Sequence, residues 1–111
     1  MAKRASKRAW EAEEERLQDY ELVVVFRPEV DGDGLAAAID KRSQFVTESG
    51  GAVSTVEQWG KKRLAYPIKR FLEGSYVLMR FTLRPKLTRE LEANMKISEE
   101  ILRHLLLKLD G

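Results

Sequence analysis

Residues Val56–Ile68 have the sequence VEQWGKKRLAYPI, and this run is the most informative part of the chain. Every second residue from Leu64 to Ile68 is apolar or aromatic, and an alternation with a period of two is typical of a β-strand. Gly60 predicts a bend or bulge, because a glycine inside a strand often marks one. The run therefore predicts a long strand over residues 52–68, with three cations at residues 61–63 next to its bend.

The segment before this run predicts a strand followed by a helix. Tyr20–Arg27 is rich in β-branched and aromatic residues and ends at Pro28, so it predicts the first strand. Apolar residues at helical spacing predict a helix over residues 32–49. Asp31 or Asp33 can cap its first turn. The predicted buried stripe of this helix consists of Leu35, Ala38, Ile39, Phe45 and Val46.

The segment after the run predicts a hairpin partner and a second helix. Glu73-Gly74 predicts a turn, and Lys69 and Arg70 are expected on the same hairpin loop. Ser75–Leu83 predicts a third strand, and residues 85–97 predict a helix. One face of the third strand carries Val77, Met79, Phe81 and Leu83, and the other carries Tyr76, Leu78, Arg80 and Thr82. The second face is amphipathic, which is better suited to a protein partner than to water. Cover by the chain's own termini is the alternative.

The last segment, residues 98–109, gives conflicting signals. Its leucines and isoleucine fit a helix by spacing, and Ser98 can cap it. The preceding order of strand, helix, strand, strand and helix is, however, one strand short of the split βαβ fold. The residues alone leave both structures open.

The amino-acid composition limits the classes of protein to which this chain can belong. The chain has 111 residues, enough for one domain, and it has no cysteine, which excludes disulfides and thiolate metal sites. No apolar run approaches the length of a membrane span. Residues 1–19 form a charged extension, helical or disordered, and residues 20–110 form the predicted domain.

Charge is strongly segregated along the chain. Residues 61–89 contain nine cations and one carboxylate, a net charge of +8, while the whole chain carries only +2. Such a segment is typical of a surface that binds a polyanion such as RNA or DNA. A solvated, salt-bridged surface is the alternative that charge alone leaves open.

The residues offer little support for catalysis or for a metal. His104 is the only histidine, and a structural or RNA-facing role suits its apolar and basic surroundings better than catalysis. The Asp31–Arg42 segment resembles a calcium loop but has Leu35 and Arg42 where oxygen ligands are needed. An acylphosphatase-like phosphate loop is disfavoured because the first strand runs into Pro28 and Glu29. We therefore expect no catalytic residue, no metal, no cofactor and no small-molecule substrate.

Val56–Ile68 resembles the V-E-x-x-G-x-[RK]-[RK]-L-A-Y-P-I signature of the bacterial small-subunit ribosomal protein six family. Tyr20-Glu21-Leu22, Gly74-Ser75-Tyr76 and Ile101–Lys108 resemble its other strands, so the resemblance covers residues 20–109. The 19-residue N-terminal extension departs from the usual core of the family. The C-terminal tail that many members carry is nearly absent.

The resemblance implies an α+β fold, a ferredoxin-like β-α-β-β-α-β sandwich with a four-stranded antiparallel sheet and two helices on one face. It makes the last segment a strand, which we expect to lie between earlier strands. It also implies a cytoplasmic, non-enzymatic constituent of the small ribosomal subunit. The implied partners are the central domain of small-subunit ribosomal RNA and ribosomal protein eighteen, as a heterodimer, with no membrane involved. An RNA recognition motif of the same topology is the alternative, but among residues 73–81 only Tyr76 is an aromatic on the expected open face, where bases would stack.

The predicted site residues form two groups. The cations expected to bind RNA are Lys61, Lys62, Arg63, Lys69, Arg70, Arg103 and Lys108, together with Lys3, Arg4, Lys7 and Arg8 of the extension. The residues expected to contact the protein partner are Tyr76, Leu78 and Arg80, with Trp59 and Tyr66 as further candidates. For Trp59, a partly buried packing role is an equal alternative.

Overall fold

The computed structural model describes residues 16–109. Its elements are β1 (Gln18–Phe26), α1 (Gly32–Glu48), β2 (Ala52–Ile68), β3 (Phe71–Leu83), a 3-10 turn (Pro85–Leu87), α2 (Thr88–Ile97) and β4 (Ile101–Lys108). The cations expected at residues 3, 4, 7 and 8 lie outside the described residues. Residues 18 and 19, assigned to the extension from sequence, instead begin β1 and pair with β3.

The four strands form one antiparallel sheet in the order β2-β3-β1-β4, which confirms the β-α-β-β-α-β prediction. The expectation that β4 lies between earlier strands is wrong, because β4 occupies the edge beside β1. β3 already pairs with β1 on one edge and with β2 on the other, and β4 pairs with the second edge of β1. The backbone N–H and C=O groups on this edge of β1 form hydrogen bonds with β4. Residues 101–108 therefore form a strand, although their apolar residues have helical spacing.

The main core lies between one side of the sheet and the two helices. Every second residue of β3 from Val77 to Leu83 is at most 2% exposed on this side, as the alternation predicts. The ring of Tyr20 on β1 packs 6.0 Å from that of Phe81, centroid to centroid. The predicted stripe of α1 is buried at Leu35, Ala38, Ile39 and Val46, and Phe45 is half-buried against it.

Arg42 is the one charged residue of α1 that this packing buries, at 6% exposure. Its guanidinium donates a hydrogen bond to the Ala38 carbonyl oxygen at 3.3 Å. Burial lowers the pKa of Arg42 from its ordinary value, and the charge of Glu100 opposes the shift. The side chain therefore contributes its aliphatic stem to the core while its charge stays only partly compensated.

β2 contains the irregularity that Gly60 predicts. The β2–β3 register shifts between Gln58 and Gly60, and Gly60 has a positive φ of 82°. Past the bulge, Lys61 Nζ lies 3.7 Å from the carboxylate of Asp31 at the N-terminus of α1. Asp31, one of the two predicted caps, occupies the N-cap position of α1, but its side chain makes no capping hydrogen bond.

The turn between β2 and β3 consists of Lys69 and Arg70, because Ile68 pairs directly with Phe71. The prediction that Lys69 and Arg70 lie on the hairpin loop is confirmed, whereas the prediction of a turn at Glu73-Gly74 is wrong, because both of those residues lie inside β3.

Glycine is needed at residue 74 because the neighbouring strand lies too close for a side chain. A Cβ at this position would overlap Val25 Cγ1 and lie 3.1 Å from the carbonyl oxygen of Phe26. The residue is needed for the close approach of β3 to β1 and not for backbone freedom in a turn.

Among residues 16–109, the helices are too short and too polar for any of them to span a bilayer.

Candidate nucleic-acid interface

The end of the β2–β3 hairpin, residues 64–71, folds across the sheet face that points away from the helices. We call these residues the hairpin tip. Leu64 of β2 packs into a second apolar cluster with Val25 of β1 and Leu102 of β4, all at most 8% exposed. Since β2 and β4 are opposite edges of the sheet, Leu64 reaches Leu102 only because the hairpin tip crosses the intervening strands.

This crossing brings the hairpin tip against the start of β4. The Arg103 guanidinium donates a hydrogen bond to the Tyr66 hydroxyl at 2.9 Å. On this side of the tip, a cavity of about 280 Å³ is lined by Lys69, Met95, Lys96, Ile101, Leu102, Arg103 and His104. On the other side, a cavity of about 390 Å³ is lined by Pro28, Arg63, Arg70, Phe71, Leu72 and Glu73. Cations therefore flank the hairpin tip on both sides.

Four of the cations predicted from sequence gather at this end of the molecule: Arg63, Lys69, Arg70 and Arg103. All four are exposed, and within residues 16–109 none of them forms an ion pair. Their positive charge is therefore available to a ligand. Lys96, on the last turn of α2, was not predicted, because only the crossing of the hairpin brings it near Lys69.

The other predicted cations of the domain lie elsewhere. Lys61 is engaged with Asp31 at 3.7 Å, and the Lys62 ammonium lies 5.3 Å from the centroid of the Trp59 ring. Lys108 is at the far end of β4, where it pairs in register with Tyr20. The structure thus divides the predicted RNA-binding set into a cluster at the hairpin tip and three scattered members.

The turn at the hairpin tip has an unusual composition. Lys69 and Arg70 both have positive φ, 49° and 75°. Two-residue hairpin turns of this kind strongly prefer Asn-Gly, because residues with larger side chains are strained in left-handed conformations. A strained backbone that carries two cations indicates that the cations serve something other than stability.

Replacing the turn by its preferred residues, Lys69→Asn with Arg70→Gly, should stabilise the isolated protein. Relief of left-handed strain is expected to raise the free energy of unfolding by about 1–2 kcal/mol. Thermal unfolding should report this as a midpoint roughly 4–8 °C higher per kcal/mol for a domain of this size. The matched control is Lys61→Asn with Arg63→Gly, which removes the same charges from positions without positive φ and should not stabilise. A lower midpoint for the turn variant would show that the two side chains hold the hairpin tip in place.

The sheet face away from the helices, which we call the outer face, was predicted to contact a protein. Arg80 is exposed there and its Nε lies 3.1 Å from the carboxylate of Glu21, its cross-strand neighbour. Tyr76 is half-buried against the second apolar cluster, so the ring is not open for base stacking. This argues against the RNA recognition motif alternative.

The expectation that Leu78 is exposed on the outer face is wrong. Its side chain does point away from the helices, but it is only 4% exposed. β3 is an interior strand, so Val23 of β1 and Glu57 of β2 flank Leu78 on both sides. A leucine is short enough to be covered by such neighbours, whereas the longer Arg80 extends past them.

Exposed apolar surface on this face lies on β4 instead. Leu105 is 48% exposed and Leu107 45% exposed, and they stand next to Val23 and Glu21 of β1. These two residues could not be identified from the sequence, because helical spacing obscured which residues of this segment share a strand face. Of the further candidates, Trp59 and Tyr66 are 44% and 59% exposed.

Catalytic or metal chemistry finds no support in the described part of the chain. His104 Nε2 lies 3.5 Å from Glu92 Oε1, and the His104 side chain is 15% exposed. This contact links β4 to α2. Residues 16–109 contain no group of three or more histidine, aspartate or glutamate side chains that could hold a metal ion.

Comparison with known proteins gives a consistent result. The family model described as ribosomal protein S6 matches residues 19–108. The small ribosomal subunit protein bS6 of Moorella thermoacetica is 40% identical over 94 residues, which cover 85% of this chain and 96% of that protein. The bS6 protein of Heliobacterium modesticaldum is 42% identical, with 85% and 98% covered. The crystal structure of 30S ribosomal protein S6 from Thermotoga maritima superimposes with a TM-score of 0.78 at 25% identity, covering 85% of this chain and 89% of that one.

Proposed function

The chain belongs to the ribosomal protein S6 family, and on that basis we propose that it binds the central domain of small-subunit ribosomal RNA together with ribosomal protein eighteen. Family membership makes it a structural constituent of the small ribosomal subunit in the cytoplasm and not an enzyme. The RNA contact and the protein partner are the proposed part. Both would act during assembly of the subunit platform.

The proposal for RNA rests mainly on the hairpin tip. Lys69 and Arg70 belong to it, Arg63 and Arg103 adjoin it, and none of the four forms an ion pair within residues 16–109, although Glu73 stands opposite Arg63 in register. Lysine and arginine at such a protruding end can neutralise phosphates without reading bases. The backbone strain at Lys69 and Arg70 supports the same function, because a turn chosen for stability alone would not carry these residues.

The proposal for ribosomal protein eighteen rests on the outer face. Leu105 and Leu107 expose apolar surface there, and the Arg80–Glu21 ion pair lies beside Leu107 in the same cross-strand row. An apolar centre with a polar rim is the usual composition of a protein interface. The two proposed ligands would thus use different parts of the sheet, the partner the β4 side of the outer face and RNA the hairpin tip.

The tagged protein should cosediment with small ribosomal subunits and bind a transcript of the central domain of their RNA with strongly salt-dependent affinity. The turn variant Lys69→Asn with Arg70→Gly should lower the slope of log Kd against log salt by about 1.4–1.8, since each lost phosphate contact contributes about 0.7–0.9. Because this variant is also expected to be more stable, weaker RNA binding could not be attributed to unfolding.

The control is Lys41→Gln with Lys86→Gln, which removes two cations from the helical layer and should leave the slope unchanged. Protein that stays at the top of the gradient, or equal slopes for wild type and the turn variant, would contradict the proposal for RNA.

A further inference from the structure

The cavity between the hairpin tip, the end of α2 and the start of β4 is lined by cations from three separate elements. Lys69 comes from the turn, Lys96 from the last turn of α2 and Arg103 from β4. Its other lining residues are Met95, Ile101 and Leu102, which are all at most 7% exposed, and His104. The cavity therefore has an apolar base and a cationic rim.

No carboxylate lines this cavity among the described residues. Glu92 contacts His104, at 3.5 Å, but is not one of the lining residues. Within residues 16–109, Lys69, Lys96 and Arg103 also form no ion pair. Like charges around one cavity repel each other, and a bound anion would remove that repulsion.

The fold positions the guanidinium of Arg103 and the main chain of Lys69. The Tyr66 hydroxyl accepts a hydrogen bond from Arg103 at 2.9 Å, which fixes the guanidinium at the cavity. Lys69 is attached to a backbone with a φ of 49° in a two-residue turn, which leaves its main chain little freedom. Prepositioned donors lose less entropy when a ligand binds.

We propose that Lys69, Lys96 and Arg103 form a binding site for a single phosphate of the RNA backbone. The inference rests on the proposed function and adds to it a discrete site that includes α2, outside the strands that carry the sequence signature. An arginine and two lysines match a phosphodiester, since guanidinium and ammonium groups both donate charge-assisted hydrogen bonds to its oxygens. The apolar base offers no group that would distinguish one base from another, so the site positions the RNA without reading sequence.

Lys96 decides between this proposal and a simpler explanation. A lysine on the last turn of a helix interacts favourably with the helix dipole, and that effect alone would account for its position. The simpler explanation predicts that Lys96→Gln lowers the thermal midpoint and leaves RNA binding unchanged. The phosphate site predicts a change in the salt dependence of RNA binding.

The test measures binding of the full chain to the central-domain transcript across a range of salt concentrations. Lys96→Gln should lower the log–log slope by about 0.7–0.9, and Lys96→Arg should keep it near the wild-type value. Lys41→Gln is the matched control, because Lys41 is an exposed lysine of α1 that does not line this cavity, and its slope should equal that of wild type. Addition of the transcript should change the amide NMR shifts of Lys96 and His104.

The outcomes separate the inference from the function on which it rests. A normal slope for Lys96→Gln, with a reduced slope for Lys69→Gln, would overturn the phosphate site and leave RNA binding by the hairpin tip intact. Changes in amide NMR shifts that are confined to Lys69 and Arg70 would also overturn the phosphate site and leave RNA binding by the hairpin tip intact. Absence of salt-dependent RNA binding by the wild-type chain would overturn both.

Discussion

Leu78→Asp should unfold the isolated protein under conditions in which the wild type is fully folded. Leu78 is 4% exposed in an interior strand, and loss of a buried leucine side chain alone destabilises by about 2–5 kcal/mol. The new carboxylate would add the desolvation penalty of a charge without a partner. The sum is a large part of the roughly 5–15 kcal/mol that stabilises an ordinary domain. Urea denaturation followed by circular dichroism should show a lost or strongly shifted transition.

Leu78→Met is the control, because a swap of similar volume should destabilise by less than about 1.5 kcal/mol. A wild-type urea midpoint for Leu78→Asp would mean that the outer face is open at this position after all.

The double variant Leu105→Asp with Leu107→Asp should have the opposite effect. The isolated protein should stay folded, but it should bind ribosomal protein eighteen much more weakly. Both side chains are about half exposed, and changes at such surface positions usually alter stability by no more than about 0.5 kcal/mol. At the centre of an interface, truncation of an anchor typically lowers binding free energy by about 2 kcal/mol or more, roughly thirtyfold in Kd. Calorimetric titration with ribosomal protein eighteen should therefore show at least that loss for the double variant.

Ile97→Asp supplies the comparison, because Ile97 is 80% exposed at the end of α2, in the helical layer. It should leave heterodimer formation unchanged. If Ile97→Asp weakened the complex and the β4 variant did not, the partner would dock on the helices.

The order and type of most elements could be predicted from the sequence, because their signals are local. Gly60 marks a real bulge, and the alternation in Ser75–Leu83 identifies the side that faces the helices. β4 could not be assigned in this way. Its leucines satisfy a helical period, and only the resemblance to a known family made it a strand. The deciding factor is an unpaired edge of β1 about eighty residues earlier in the chain, and the resemblance did not identify that position.

The site was less predictable, because it depends on the crossing of the hairpin tip over the sheet. The net charge of residues 61–89 identified a basic segment that includes the hairpin tip, but it could not show that Lys96 lies beside Lys69. The alternating pattern of β3 also predicted that the Leu78 side chain points away from the helices. It could not predict that the side chain is buried, because burial depends on neighbours from two other strands. The sequence indicated a turn at Glu73-Gly74 for a related reason. Gly74 resembles a turn glycine in sequence, whereas its structural role is to let two strands approach closely.

The position of β1 in the sheet determines when this protein can fold during its own synthesis. β1 is made first, yet its two neighbours, β3 and β4, are made last. At typical elongation rates of about 5–20 residues per second, its apolar segment Leu22–Phe26 waits several seconds for β3 with both edges unpaired. The β2–β3 hairpin, whose strands are adjacent in sequence, can form as soon as β3 has been made, which is also when β1 gains its first neighbour. We therefore expect the sheet to be completed only once β4 has been made, because β1 lacks its second neighbour until then.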